Sequence, residues 1–298
     1  MAIAIQIAQI MFPLVAIISV GFIVGIKRPP DLHSINEVNL YIFIPALVFS
    51  ALLKHDFELS SYMFLAAGAV ILVFITAMLA VPIVKLLNES YLTIAPPLMF
   101  HNAGNIGLPL ITLALGEQGL AAALILFLAG NVTHFGLGAY MLDRHAKWYR
   151  SMFSPPILAA LLALAFQHLD LYIPDYIILP VDMLGSIAVP LLLFSLGVSL
   201  AKANLDHWKL GVIVGTLTPL LGVAIALLLT ILLPLNEIQT ASLLLFGALP
   251  PAVMNYLFAQ RYSQEPNKVS AIVSIGNALA VITLPIALLF ILSKYTLL

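Results

Sequence analysis

Long apolar runs with almost no charge constrain this chain more than any other feature of its sequence. Hydrophobic residues make up 62% and charged residues 8% of its 298 residues, whereas a soluble domain carries roughly 25% charged residues. A helix needs about 20 apolar residues to cross a bilayer, and most of these runs reach that length. The fold class predicted is therefore all-α and integral to the membrane, with the lipid bilayer as the chain's main partner.

Ten such runs predict ten transmembrane helices. The sixth run is the shortest and contains Pro155 and Pro156. By the length criterion the spans cover residues 4–26, 36–54, 60–87, 91–115, 119–142, 152–168, 177–200, 207–234, 237–260 and 267–293.

The basic residues orient these helices. With the N-terminus outside, the outer loops hold only Lys54 and Lys294 of the twelve Lys and Arg residues. The cytoplasmic loops hold Lys27, Arg28, Lys85, Arg144, Lys147, Arg150, Lys202, Lys209, Arg261 and Lys268. This excess follows the positive-inside rule. It predicts a multi-pass protein of a bacterial inner (plasma) membrane with both termini in the periplasm.

Composition also excludes several function classes. The chain has no cysteine, so disulfides and thiolate metal sites are excluded, and we expect neither a bound metal nor a cofactor. No basic patch is dense enough to indicate nucleic acid as a partner. The chain has no HExxH motif and no carboxylate pair at membrane depth, so an enzyme is not indicated.

Two apolar runs are interrupted at membrane depth by residues that suit a lipid-facing helix poorly. Residues 100–110 read FHNAGNIGLPL, and residues 246–256 read FGALPPAVMNY. Irregular backbone at that depth is tolerated where it lines a cavity. A pair of broken helices at matching places in two halves is a sequence pointer to a transporter's substrate site.

The two halves resemble each other at an offset near 145. Residues 45–50 (PALVFS) match 190–195 (PLLLFS), and Gly130-Asn131 matches Gly276-Asn277. Five spans per repeat is an odd number, so the second repeat would enter the membrane from the opposite side. We therefore predict two inverted five-helix repeats with broken, crossing helices 4 and 9. The predicted repeats are residues 1–142 and 152–298.

The breaks supply the candidate site. Amide side chains can donate to a carboxylate or accept from a cation, and half-helices would direct their positive N-terminal ends at the membrane centre. The alternative is that these amides cap half-helices or bond neighbouring helices. The candidate substrate-binding residues are Asn102, Asn105, Asn255, Asn131, Asn277 and His101. The candidate crossover residues are Gly104, Gly107, Pro109, Pro250 and Pro251.

His101 and His134 are the ionisable residues deep in the predicted spans, and such groups are functional candidates. Either could relay a proton; the alternative is a neutral imidazole hydrogen-bonded between helices. No Asp or Glu lies at mid-membrane, so a sodium site would need backbone carbonyls and neutral side chains. Ser270, Ser274 and Asn277 form one polar stripe, which could equally serve helix packing.

The motifs at both breaks, together with Thr283-Leu284-Pro285 near the C-terminus, resemble those of the auxin efflux carrier family along the whole chain. The resemblance implies a fold similar to sodium/bile-acid symporters and a homodimer. It also implies that helices 1, 2, 6 and 7 form a scaffold, while helices 3–5 and 8–10 form a moving transport domain. Members of that family move small organic anions such as auxin, malate or malonate.

The function predicted is secondary active or potential-driven transport of a small organic anion, a mono- or dicarboxylate, by an elevator-type alternating-access mechanism. Coupling to a sodium ion or a proton stays open. Two alternatives remain: a sodium-coupled symporter of the bile-acid type, and a sensor that binds a carboxylate without transporting it.

Overall fold

The computed structural model describes residues 2–54, 59–145, 149, 153–203 and 205–294. Lys147, Arg150 and the predicted repeat limits at residues 1, 152 and 298 lie outside this part of the chain. Nearly all described residues are helical. Within them the β-structure is confined to one isolated antiparallel bridge between His101 and Pro251.

Thirteen α-helices are resolved in the described residues. In chain order they are α1 (Ala2–Lys27), α2 (Leu32–Val38), α3 (Ile44–Lys54), α4 (Leu59–Leu87), α5 (Tyr91–Met99), α6 (Leu108–Thr133), α7 (Ala139–Leu142), α8 (Pro155–His168), α9 (Asp175–Ala201), α10 (Trp208–Leu232), α11 (Glu237–Gly247), α12 (Met254–Arg261) and α13 (Pro266–Lys294). Three π-helical segments adjoin them: Asn39–Phe43 between α2 and α3, Ala103–Gly107 before α6, and His134–Gly138 between α6 and α7.

Seven helical stretches of the described chain are long and apolar enough to cross a membrane. They are Ile3–Lys27, Leu32–Leu53, Ser60–Leu87, Ala103–Leu142, Asp175–Ala201, Trp208–Leu232 and Pro266–Lys294. The helix α8 is also apolar, but it is shorter than these seven stretches. The predicted class, an all-helical integral membrane protein, is confirmed.

One of these stretches contains a sharp kink. Ala103–Leu142 has 40 residues, which as a straight helix would measure about 60 Å, twice the hydrocarbon thickness. Gly116 interrupts it with φ 66° and ψ −153°. That conformation is essentially restricted to glycine, so the run consists of two helices that meet at Gly116.

Burial differs strongly between the stretches. Of the residues in the most apolar 18-residue stretch of Ala103–Leu142, 67% are buried inside the protein. The corresponding share is 22% in Ile3–Lys27 and in Asp175–Ala201. The helix α1 packs along α9, and α3 packs against α8 and α9. In a second set of helices, α10 packs against α11 and α13, and α4 packs against α5 and α6. The first break therefore lies in the protein interior, while α1 and α9 expose apolar faces.

Candidate functional site

The structure brings the two sequence breaks together. The backbone N–H of Asn102 donates to the carbonyl of Pro250 at 2.8 Å, and the N–H of Ala252 donates to the carbonyl of Phe100 at 2.9 Å. Proline has no N–H and cannot continue a helical ladder, so Pro250 and Pro251 free backbone groups locally. Each interruption thus satisfies backbone groups of the other, and α5, α6, α11 and α12 all end or begin around this bridge.

Small residues allow these segments to approach closely. A Cβ added to Gly222 of α10 would lie 2.1 Å from the carbonyl oxygen of Gly247 and 2.8 Å from Nε2 of His101. A Cβ on Gly107 would lie 2.8 Å from the Leu249 side chain, across the two breaks. The backbone contact between Gly222 and Gly247 therefore seats α10 directly beside the crossover.

Asn102 and Asn277 hold the crossover through their side chains. Nδ2 of Asn102 donates to Oδ1 of Asn277 at 2.7 Å, and Nδ2 of Asn277 donates to the carbonyls of Pro251 at 2.9 Å and Val273 at 2.7 Å. Oδ1 of Asn102 also accepts from the N–H of Asn105 at 3.3 Å. In this structure both side chains therefore hold and cap the break. This agrees with the alternative interpretation of the sequence, in which the amides cap half-helices or bond neighbouring helices.

Asn255 has a hydrogen-bond partner for its amide nitrogen but none for its amide oxygen in the described residues. Its side chain is 3% exposed, and its Nδ2 donates to the carbonyl of Phe100 at 3.2 Å. Its Oδ1 has no hydrogen-bond partner in the described residues. A buried amide oxygen without a partner costs about 1–3 kcal/mol, so this atom calls for a ligand or a water molecule.

Asn105 and Asn131 differ from Asn102, Asn255 and Asn277 in burial and in hydrogen bonding. Both are half-buried, and within the described chain neither side chain makes a hydrogen bond. Asn131 follows Gly130, whose added Cβ would lie 3.8 Å from the Phe246 ring and 3.9 Å from Ala103. These two amides are the candidate residues whose donors are free for a substrate.

The remaining crossover candidates shape the break. Gly104 lies against the Phe127 ring, with an added Cβ at 3.2 Å. Pro109 is at the start of α6, where a missing N–H costs no hydrogen bond. No residue from 100 to 110 or from 246 to 256 carries a carboxylate, an ammonium or a guanidinium group. The charge that a ligand meets here comes from helix ends and amide dipoles.

The helix starting at Met254 presents free donors. Within the described residues the N–H groups of Val253 and Met254 have no acceptor. Its N-cap, Val253, makes no side-chain cap hydrogen bond. Unpaired N–H groups at a helix start attract anions.

His101 and His134 are both buried, at 6% and 5% exposure. Neither ring nitrogen of His101 has a hydrogen-bond partner with acceptable geometry among the described residues, and Nε2 of His134 likewise has none. The His134 ring stacks on Phe100, with centroids 4.2 Å apart and planes 7° apart. Their proposed part in proton transfer stays a prediction.

A small cavity of about 10 Å³ lies beside His134. This is the room that about one water molecule requires. Its lining residues come from α5, α7, α12, α13 and the π-helical segment after α6. They are Leu92, Pro96, Pro97, His134, Gly138, Leu142, Asn255, Phe258, Ala259 and Val269.

Sequence reasoning missed Phe100, Phe258 and Gly222. The two aromatic rings pack on His134, with Phe258 at 5.2 Å, but Phe residues are common in apolar spans and carry no signal of their own. Gly222 lies in an unbroken span. Of the polar stripe on α13, Ser270 is buried and Asn277 is already engaged with Pro251 and Val273.

Comparison with known proteins gives consistent matches. Residues 144–288 match a family described as "Membrane transport protein". An "Uncharacterized transporter" of Methanocaldococcus jannaschii is 26% identical over 280 residues, covering 88% of this chain and 90% of that protein. A "Putative malonate transporter" of Rhizobium meliloti is 24% identical over 304 residues, covering 93% of each. An "Uncharacterized transporter" of Methanothermobacter thermautotrophicus is 24% identical over 288 residues.

Proposed function

Since the chain belongs to the membrane transport protein family, the family of the auxin efflux carriers, we propose that it transports a small organic anion, a mono- or dicarboxylate such as malonate or malate. One observation carries the proposal: the two helix breaks pair in the protein interior beside amide side chains with free donors. The name of the Rhizobium meliloti relative supports malonate as the first anion to test.

The chemistry of the crossover suits a carboxylate. Asn105 and Asn131 offer amide donors, and the free N–H groups of Val253 and Met254 offer a positive helix end. No carboxylate of the protein lies in either break to repel an anion. Asn102, Asn255, Asn277 and His101 line the same place and complete the proposed site.

The architecture proposed is ten transmembrane helices in two inverted repeats, residues 1–142 and 152–298. The kink at Gly116 supports it by dividing the longest helical stretch into two crossings. The paired breaks support it as well, because α5 and α6 would then be the counterpart of α11 and α12.

Packing supports a division into two bodies. The contacts of α1 with α9 and of α3 with α8 and α9 fit a scaffold. The contacts among α4–α6 and α10–α13 fit a transport domain. In the elevator mechanism proposed, this domain carries the crossover between the two faces of a bacterial inner membrane. The proposed assembly is a homodimer, with the termini of both subunits in the periplasm.

The driving force depends on direction. Each negative charge that leaves a cell with a negative interior gains about 2.3 kcal/mol per 100 mV, so export could run on the potential alone. Uptake would need sodium ions or protons. A sodium-coupled symporter and a non-transporting sensor are the competing functions, and a transport measurement together with a binding measurement separates all three.

The experiment measures charge displacement on a solid-supported membrane that carries the purified protein, and a parallel assay measures binding of the same anions to the protein in detergent. Malonate, malate and indole acetate are applied with and without sodium. A current for one carboxylate without sodium supports the proposal, and a current that requires sodium supports the symporter. Binding without any flux supports the sensor, and silence from folded protein in both assays contradicts the proposal.

Asn105→Ala locates the site, because the side chain has no hydrogen bond to lose. We expect its malonate affinity to fall at least about tenfold, the worth of 1.4 kcal/mol, with an unchanged melting temperature. The matched control is Asn36→Ala, on the exposed face of α2, which should behave as the wild type. Unchanged affinity in Asn105→Ala would place the anion elsewhere.

A further inference from the structure

Two residues that line one small cavity each carry a buried polar atom without a hydrogen-bond partner in the described residues. Nε2 of His134 and Oδ1 of Asn255 have no hydrogen-bond partner in the described residues. Both residues line the cavity of about 10 Å³, and both side chains are at least 95% buried, at 5% and 3% exposure. Buried polar groups almost always find a partner, so the cavity has the room and the polar atoms for one water molecule.

Resting on the proposed function, we propose that His134 binds the proton that is transported together with the anion, and that a water molecule in the cavity lined by His134 and Asn255 delivers it to Nε2. The step is a simple protonation. A proton from the aqueous phase passes through the water to Nε2, the imidazole becomes imidazolium, and the reverse step releases the proton on the other side.

Asn255 links the proton site to the crossover. The residue lines the cavity, and its Nδ2 donates to the carbonyl of Phe100 at 3.2 Å. The reverse assignment of the amide would set two oxygens against each other, so this orientation is the one that the hydrogen bond requires. Asn255 is also the second residue of α12, at the helix end where the anion is proposed to bind.

Phe100 forms the second link. Its carbonyl accepts from the N–H of Ala252 in the crossover bridge at 2.9 Å, and its ring stacks on His134 at 4.2 Å. Gly138 permits that stack, since an added Cβ would lie 3.0 Å from both rings. Because Phe100 contacts both, a shift of the crossover bridge on anion binding would change the packing of the His134 ring directly.

The charges around the cavity explain why the proton and the anion depend on each other. His134 is the one residue among those lining the cavity that titrates. An imidazolium there has no carboxylate beside it until an anion reaches the crossover. The titratable groups on the surrounding elements are Tyr91 of α5, His101 of the first break, Tyr140 of α7, Tyr256 and Arg261 of α12, Lys268 and Lys294 of α13, and the Lys268 partners Glu89 and Glu265.

Two of these groups, the Lys268 ammonium and the Tyr91 hydroxyl, already have partners. Lys268 pairs with Glu89 at 2.7 Å and with Glu265 at 2.6 Å, and the Tyr91 hydroxyl donates to the carbonyl of Ala77 at 2.9 Å. The ion-paired group adjoins cavity-lining Val269 in sequence. Glu89 and Glu265 of this group lie in the loops before α5 and α13, which the basic residues assign to the cytoplasm.

The test uses the full-length protein in liposomes, with the membrane potential clamped by valinomycin and potassium. An imposed pH difference of one unit should change the accumulation of labelled malonate about tenfold for one coupled proton. His134→Gln should remove this response. The matched control is His168→Gln at the exposed C-terminal end of α8, which should keep it.

A second measurement requires no flux. Purified protein in weak buffer should take up protons when malonate is added, and His134→Gln should not. His134→Phe keeps a ring against Phe100 without a titratable nitrogen, so it provides a second folded variant, checked by its melting temperature.

The outcomes separate the two proposals. Malonate transport that ignores the pH gradient, with no proton uptake by the wild type, overturns the inference and leaves the proposed function standing. A coupled response that survives in His134→Gln also overturns the inference. Wild-type protein that neither binds nor moves any carboxylate overturns the proposed function and the inference together.

Discussion

Asn102 and Asn277 are 175 positions apart in the sequence, yet Nδ2 of Asn102 donates to Oδ1 of Asn277 at 2.7 Å. Both side chains are almost fully buried. The contact joins the first break to α13, and Asn277 in turn holds the carbonyl of Pro251 in the second break at 2.9 Å. One amide therefore connects both interruptions to an unbroken helix.

Replacing Asn277 with Leu should destabilise the protein. The substitution leaves Nδ2 of Asn102 and the carbonyl of Pro251 without this partner, and each buried group left unpaired costs about 1–3 kcal/mol. Thermal unfolding of purified protein should show a clearly lower midpoint. The control is Asn131→Leu, whose side chain makes no hydrogen bond in the described chain.

The double variant Asn102→Leu/Asn277→Leu tests whether the two residues act as a pair. Residues in one hydrogen-bond network are coupled by about 0.5–3 kcal/mol, so the double variant should lose less than the sum of the single losses. Strict additivity would show that the 2.7 Å contact contributes nothing of its own.

Much of the fold follows from the sequence because bilayer thickness fixes the length of an apolar helix. The span predicted at 177–200 is α9, Asp175–Ala201, and the span predicted at 60–87 is α4, Leu59–Leu87. Both breaks were also predictable, since proline and glycine at membrane depth leave few other structures. The pairing of those breaks followed only from the repeat and the family resemblance.

Other features depend on contacts that no local pattern records. Gly116 lies in a Gly-Glu-Gln-Gly stretch, and nothing in that stretch tells a loop from a kink within one helical run. The approach of Gly222 to Gly247 and the stacking of Phe100 on His134 join residues far apart in sequence. Which amides are engaged and which are free likewise emerged only from the geometry.

Gly116→Ala should destabilise the protein through backbone strain alone. The residue has φ 66° and ψ −153°, and a Cβ added there would meet no atom within 4 Å. The cost is therefore conformational, about 1–3 kcal/mol for a residue held in such a region. A lower unfolding midpoint for Gly116→Ala checks it, and an unchanged or raised midpoint would show that the kink does not need glycine.

Gly197→Ala should disrupt the contact of α9 with α1. A Cβ at this position would lie 2.0 Å from the carbonyl oxygen of Ile18, and overpacking of this kind costs about 1–3 kcal/mol or more. The matched control is Gly130→Ala, where the nearest atoms lie at an ordinary 3.8 Å. Unfolding midpoints should fall for Gly197→Ala and stay level or rise for Gly130→Ala, because alanine favours a helix over glycine. Equal midpoints would refute the close approach.

The carboxylate of Glu265 should give the protein a pH-dependent part of its stability. Its hydrogen bonds with the Lys268 ammonium and the Thr93 hydroxyl lower the pKa of Glu265 from its ordinary value of 4.5. A carboxyl with a depressed pKa in the folded state stabilises the protein above that ordinary value. The stabilisation is lost as the pH falls through the folded-state pKa.

Lys268→Met removes the main cause of that depression. We therefore expect the unfolding midpoint of the wild type to drop more steeply below about pH 4.5 than that of Lys268→Met. The matched control is Lys85→Met, which removes the same charge from an exposed position in the last turn of α4 and should keep the wild-type slope. Because Glu265 is 37% exposed, solvent screening makes the difference small, so midpoints should be compared at low ionic strength. Parallel curves for the wild type and Lys268→Met would show that the pair contributes nothing to folding.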